Sequence, residues 1–93
     1  PGAAGLRAPA PNPFTGSMSV RYALTRAGHL RIAVYDVSGR RVRTLLDGQR
    51  LTGEGVAAWD GADDSGRALG TGIYFVRLTA PGVATSKRVV RLR

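Results

Sequence analysis

Trp59-Asp60-Gly61-Ala62-Asp63-Asp64-Ser65-Gly66-Arg67-Ala68-Leu69-Gly70-Thr71-Gly72-Ile73-Tyr74 is the stretch whose reading decides the fold. It holds the only Trp and three of the six acidic residues. A Trp followed at once by Asp-Gly reads as the end of a buried strand entering a tight turn at Gly61. At the far end, Gly72-Ile73-Tyr74 reads as the start of the next strand. Burying one Trp removes roughly 150–250 Å² from water, which at ~25 cal/mol/Å² is an upper estimate of about 4–6 kcal/mol. That is comparable with the whole stability of a small domain.

Working outward, both sides of this corner read as strands. Ser17 to Leu24 alternates, with Met18, Val20, Tyr22 and Leu24 on one face and Ser17, Ser19 and Arg21 on the other. A period of two means a half-buried strand. His29 to Val37 alternates again, with Leu30, Ile32 and Val34 inward. Asp36-Val37-Ser38-Gly39-Arg40 is a hairpin signal, with Gly39 free to take a positive φ. Arg41 to Leu46 returns, and its adjacent Leu pair breaks the alternation, which predicts a bulge. Asp47 to Gly55 is polar and reads as a loop crossing between sheets, followed by a strand from Val56 to Asp60.

Beyond the corner, Gly72 to Ala80 is a strand with Tyr74, Val76 and Leu78 inward, and Pro81-Gly82 is a turn. Thr85 to Arg93 is the last strand, with Val90 and Leu92 expected inward and its remaining positions mostly basic: Lys87, Arg88, Arg91 and Arg93. Residues 1–10 read as a Pro/Ala/Gly-rich linker. Pro11-Asn12-Pro13-Phe14 is expected to lie along a sheet edge, where the missing Pro amide is tolerated, with Phe14 tucked inward. About seven short strands, with turn signals every eight to twelve residues or so, predict an all-β fold. The expected architecture is an immunoglobulin-like antiparallel β-sandwich over residues 11–93, with Tyr74 as a tyrosine corner.

The 93 residues suffice for one small domain. With no Cys, neither disulfides nor thiolate metal sites support it. The net charge is +8, from 14 basic and 6 acidic residues. Such a balance suits a polyanion, but the basic residues alternate along strands rather than massing, which also describes a solvated face. Nucleic acid is not indicated: aromatics are 6% and no nucleic-acid-binding signature is present. No apolar run is long enough to span a membrane. The chain begins at Pro1, without signal peptide or initiator Met, and reads as a piece of something longer.

The single His, His29, rules out a polyhistidine zinc site and leaves no Ser-His-Asp candidate beside the acidic corner. Asp60, Asp63 and Asp64 lie in one short turn, which offers no cleft for acid/base work. The chain therefore reads as non-enzymatic, with no cofactor. The one candidate metal loop is Asp60-x-x-Asp63-Asp64-x-Gly66, whose carboxylates suit Ca²⁺ but lack the spacing of an EF-hand. The competing and preferred reading has Asp60 and Asp63 accepting backbone amide bonds to hold the turns.

Taken in order, Pro11-Asn12-Pro13-Phe14, Tyr35-Asp36-Val37-Ser38-Gly39-Arg40-Arg41-Val42, Trp59-Asp60-Gly61, Gly70-Thr71-Gly72-Ile73-Tyr74 and a basic closing strand resemble two related groups. One is the C-terminal sorting domain of type IX secretion cargo; the other is the immunoglobulin-like domain of the flagellar hook-capping protein. The opening Pro-Asn-Pro-Phe and the basic ending look more like the sorting group. That resemblance implies a secreted or cell-surface protein recognised by outer-membrane export machinery. Its export signal would be Lys87, Arg88, Val89, Val90, Arg91, Leu92 and Arg93, with a cleavage region before Pro11. The hook-capping resemblance implies a scaffold or fibre subunit instead, whose N-terminal arm adds to the sheet of another copy. The charge leaves a glycan- or polyanion-binding module as a further alternative. Trp59, Gly61, Gly72 and Tyr74 are the expected structural residues.

Overall fold

A computed structural model of the chain describes residues 5–93. Seven strands form it: β1 (Gly5–Leu6), β2 (Met18–Leu24), β3 (Gly28–Tyr35), β4 (Arg41–Arg50), β5 (Gly53–Trp59), β6 (Gly72–Ala80) and β7 (Val83–Arg91). They make a three-stranded sheet, β1-β2-β5, and a four-stranded sheet, β4-β3-β6-β7. Every pairing between these strands is antiparallel. This is the all-β, immunoglobulin-like sandwich that the alternation predicts.

The core lies between the sheets, as the period-two pattern requires. Met18, Val20 and Leu24 of β2 face Leu30, Ile32 and Val34 of β3 and Val76 and Leu78 of β6 in one buried cluster. Trp59, at the end of β5, and Phe14 are the largest fully buried side chains. The bulge expected at the Leu45-Leu46 pair is present: Ile32 pairs with Leu46 but Ala33 with Thr44, leaving Leu45 as the extra residue. A second shift, between Val34 and Tyr35, leaves Val42 extra.

Three expectations need correction. The linker expected over 1–10 is part of the sandwich from residue 5; its first four residues lie outside those described. Gly5 and Leu6 pair with Ala23 and Tyr22, Leu6 is buried, and Ala10 exchanges two backbone bonds of 2.9 Å with Ser19. Pro-rich chain is extended, and extended chain is already shaped for a sheet edge. The expected crossing loop over Asp47–Gly55 shrinks to Leu51 and Thr52, because β4 continues to Arg50 and β5 begins at Gly53. An edge strand with one face in water accommodates polar residues, so polarity there does not mean a loop.

The third correction is the parity of β7. Val89 pairs with Tyr74 and Arg91 with Gly72. Directly opposed residues share a face, so Val89 and Arg91 point inward with Tyr74. Arg91 is only 6% exposed, whereas Leu92, expected inward, is 42% exposed.

Candidate functional site

Two features dominate the end of the sandwich where the Trp59–Tyr74 corner lies. One is the corner itself; the other is the edge where the chain's first and last segments meet.

At the corner, the Trp59 indole donates from Nε1 to the Ala62 carbonyl at 2.8 Å. Its ring lies between Phe14, with centroids 5.4 Å apart, and Tyr74, at 5.3 Å in an edge-on contact. Tyr74 Oη donates to the Gly70 carbonyl at 2.8 Å, making the expected tyrosine corner. A net hydrogen bond contributes about 1 kcal/mol. Tyr74→Phe is expected to lower stability by that amount, read as a shift of the urea midpoint with unchanged slope.

Gly61 has φ of 80°, and a Cβ there would overlap the Arg91 guanidinium. Glycine is therefore required twice over, by backbone conformation and by space. Gly72 carries no such demand: an added Cβ would meet only Tyr74 Cε1, at 3.9 Å.

The three carboxylates of the candidate metal loop point at different partners. Asp60 Oδ1 accepts from Ala62 N at 3.0 Å and from Arg43 Nη1 at 3.2 Å. Asp63 Oδ1 accepts from Ser65 N at 2.9 Å, Ser65 Oγ at 2.7 Å and Arg67 N at 3.0 Å. Asp64 Oδ1 accepts from Thr44 N at 2.9 Å, and Asp64 N donates to the Val42 carbonyl at 3.0 Å. The last pair satisfies part of the outer edge of β4. Among the described residues no three His, Cys, Asp or Glu side chains are grouped to hold a metal ion.

The geometry also reveals an internal repeat that the pass along the sequence missed. Asp36-Val37-Ser38-Gly39-Arg40 and Asp63-Asp64-Ser65-Gly66-Arg67 share the pattern Asp-x-Ser-Gly-Arg. Asp36 Oδ1 accepts from Ser38 N, Ser38 Oγ and Arg40 N, as Asp63 does from Ser65 and Arg67. Gly39 and Gly66 have φ of 86° and 90°. One turn is thus written twice, and comparing the two Gly-Arg dipeptides would have found it.

Asp36 and Asp63 are held below the ordinary carboxylate range, first by the Ser38 and Ser65 hydroxyls and next by the Arg40 and Arg67 amides. Asp60 is lowered chiefly by the Ala62 amide. A lowered folded-state value means that the stabilisation is complete above the unfolded carboxylate's range and is lost as pH falls through the folded value. The melting temperature is expected to be flat above about pH 5 and to drop below about pH 4. Asp63→Asn should shrink that drop, as a thermal melt series across this range would show.

At the second feature, Pro11–Phe14 runs beside β7. Asn12 Oδ1 accepts from Val90 N at 2.9 Å, and Asn12 Nδ2 donates to the Arg88 carbonyl at 3.1 Å. Phe14 N donates to the Val90 carbonyl at 3.0 Å, and Leu92 N donates to the Phe14 carbonyl at 2.8 Å. The expected edge position, with Phe14 inward, is what the structure has. The strand-adding arm, from residue 5 onward, is occupied on the domain's own two sheets. Arg91 closes the junction. Its Nε donates to the Leu69 carbonyl at 3.0 Å, its Nη1 donates to the Thr15 carbonyl at 3.1 Å, and its guanidinium lies 5.5 Å from the Phe14 ring centre.

Of the seven residues implied as an export signal, Lys87, Arg88, Leu92 and Arg93 are exposed and Val90 is half-buried. Val89 and Arg91 are buried. His29 lies exposed on β3, bonded to Asp47. No helix of the described residues is long and apolar enough to cross a membrane.

Residues 12–82, which include the Asn12–Phe14 edge, the twin turns and the tyrosine corner, match the family model of the FlgD Ig-like domain. The chain belongs to the FlgD Ig-like domain family. Solved structures share the fold. Dimeric latent PorU from Porphyromonas gingivalis superposes with a TM-score of 0.75 at 23% identity, over 96% of this chain and 9% of PorU. PorZ, described as a surface component of the type IX secretion system of the same organism, gives 0.58 at 23% identity, over 96% of this chain and 12% of PorZ. FlgD from Xanthomonas campestris, described through hook capping in flagellar assembly, gives 0.64 at 27% identity, over 96% of this chain and 67% of FlgD. The chain thus spans about a tenth of PorU or PorZ. No individual curated protein sequence matches it. The FlgD Ig-like match stops at Gly82, so β7 and its buried Arg91 lie beyond it.

Proposed function

We propose that this FlgD-type Ig-like domain is a non-enzymatic sorting and surface-attachment module of a secreted bacterial protein, recognised by outer-membrane export machinery. One observation carries the reading. The two motifs that point to sorting, Pro-Asn-Pro-Phe and the basic last strand, form a single edge joined through the Asn12 side chain and the Phe14 backbone. A receptor that contacts the last strand therefore senses whether the domain has folded from its beginning. The likeness to PorZ, described as a surface component of the type IX secretion system, supports this reading.

Fused behind a reporter in a type IX-competent host, the full chain is expected to bring the reporter to the cell surface. Retention in the periplasm would remove the sorting role. Asn12→Ala is expected to speed amide exchange at Val90, whose amide loses its acceptor, and to lower surface display.

A second reading, a scaffold subunit, is favoured by the 27% identity to the hook-capping FlgD of X. campestris. Ordered polymers seen by microscopy would support it, and a strict monomer at high concentration would oppose it.

A further inference from the structure

The outer face of the four-stranded sheet has a composition that the edge contacts do not explain. Tyr35 stands directly opposite Phe75, Phe75 opposite Arg88, and Ile73 opposite Val90. These pairs fix all five side chains on the face turned away from the core, since Val34, Tyr74, Val76 and Val89 occupy the other. Ile73 is 41% exposed, and Leu92 continues the same row on the chain beyond β7. Ala33 shares this outward face yet is buried, so longer neighbours close over it. The result is an apolar row across three strands, of the kind monomeric domains seldom leave uncovered.

Its unpaired charge is basic, since Asp36, beside Tyr35, Phe75 and Arg77, is taken up by Ser38 and Arg40. Arg77 follows Phe75 on the same face of β6, Arg88 lies across from Phe75, and Arg41 lies across from Tyr35. Among the described residues none of these three has a carboxylate within 4.0 Å. Asp47, which points to this face, is engaged by His29 and Arg31.

We propose that this face docks an acidic polypeptide segment that also carries apolar side chains. The assignment deepens the recognition role proposed above and rests on it. Charge complementarity selects the acid: free guanidiniums flank the apolar row and match carboxylates in planar, two-point contacts. Chemistry selects the polypeptide. Sugars stack on flat exposed rings, whereas Ile73, Val90 and Leu92 present branched chains and Phe75 is half-buried. An anionic membrane calls for massed basic residues, and here apolar positions separate them. Alternating basic and apolar positions suit a partner strand or loop that alternates acid and apolar groups.

The test titrates the isotopically labelled full chain with a Glu/Ala/Tyr copolymer, using poly-L-glutamate and dextran sulfate for comparison. Saturable shifts at Ile73, Phe75, Arg77, Arg88 and Val90 are expected, at least tenfold weaker in the R77E/R88E variant. Unchanged Trp59 fluorescence is the check that this variant folds, and R77A/R88A is the milder substitute if it does not. Three results overturn the proposal: shifts spread evenly over all Arg positions, copolymer binding no tighter than poly-L-glutamate, or equal binding of dextran sulfate at this face. The reporter fusion separates the two ideas. Export of the wild type with undiminished export of R77E/R88E sinks this face and leaves the sorting role standing. Failure of the wild type to export sinks the sorting role and the docking inference that rests on it.

Discussion

Trp59→Ala is expected to leave the domain unfolded or nearly so at room temperature. Trp59 is 1% exposed and touches Phe14 from the first segment and Tyr74 from β6. It therefore joins pieces of chain far apart in sequence. Truncating a buried Trp costs about 3–5 kcal/mol, because the lost transfer energy is joined by the unfilled cavity. Domains of this size have only about 5–15 kcal/mol in total and sit toward the lower end. Collapse around the hole is restricted, since the two rings that flank it are anchored, Phe14 by its backbone bonds to Val90 and Leu92 and Tyr74 by its hydroxyl bond to Gly70. Trp59→Phe is the informative control. It keeps most of the volume and loses the bond to the Ala62 carbonyl, which still receives Arg43 Nη1 at 3.1 Å. The phenylalanine variant should remain folded with a lower urea midpoint, while the alanine variant should lack the cooperative transition. A cooperative alanine variant within 1 kcal/mol or so of wild type would contradict the indole's central place in the core.

How much of this was legible follows from where each signal resides. The alternation of Met18, Val20, Leu24, Leu30, Ile32 and Val34 marks one buried face and survives intact in the structure. The Leu45-Leu46 pair announced its bulge because it breaks a period that a strand must otherwise keep. The tyrosine corner was readable from Tyr74 following a Gly-rich bend. What was not legible depended on partners distant in sequence. Leu6 is one apolar residue in a Pro/Ala/Gly tract, and only pairing with β2 reveals it as a strand. Asp47–Arg50 looks like a loop because a polar edge strand and a polar loop have the same composition. In β7 the run Lys87-Arg88-Val89-Val90-Arg91-Leu92-Arg93 offers two parities, one with Val90 and Leu92 inward and one with Val89 and Arg91. Hydrophobicity favours the first, which turns two apolar residues inward with one arginine, Arg88, whereas the second turns in one apolar residue with Lys87, Arg91 and Arg93. Pairing with Tyr74 enforces the second.

That enforced parity leads to the other large effect: Arg91→Ala is expected to cost about 2–4 kcal/mol, more than its place in a basic tail suggests. An exposed terminal arginine would change stability by less than about 0.5 kcal/mol. Arg91 is instead buried, with its Nε and Nη1 on the Leu69 and Thr15 carbonyls and its guanidinium near the Phe14 ring. Removing it abandons two carbonyls at about 1–3 kcal/mol each if they stay buried, and opens space beside Gly61. Some water will reach them at the sheet edge, which holds the total below the sum. Arg91→Lys should not restore the loss, because one ammonium on a flexible stem lacks the rigid fork that spans both carbonyls. The coupling to Gly61 gives a sharper check. Gly61→Ala places a methyl where the guanidinium lies, so part of its penalty is the displaced Arg91. The double variant should then be less destabilised than the sum of the two singles, by about 1 kcal/mol or more. Urea denaturation of the four proteins measures this directly, and strict additivity would mean that Arg91 does not hold the corner closed.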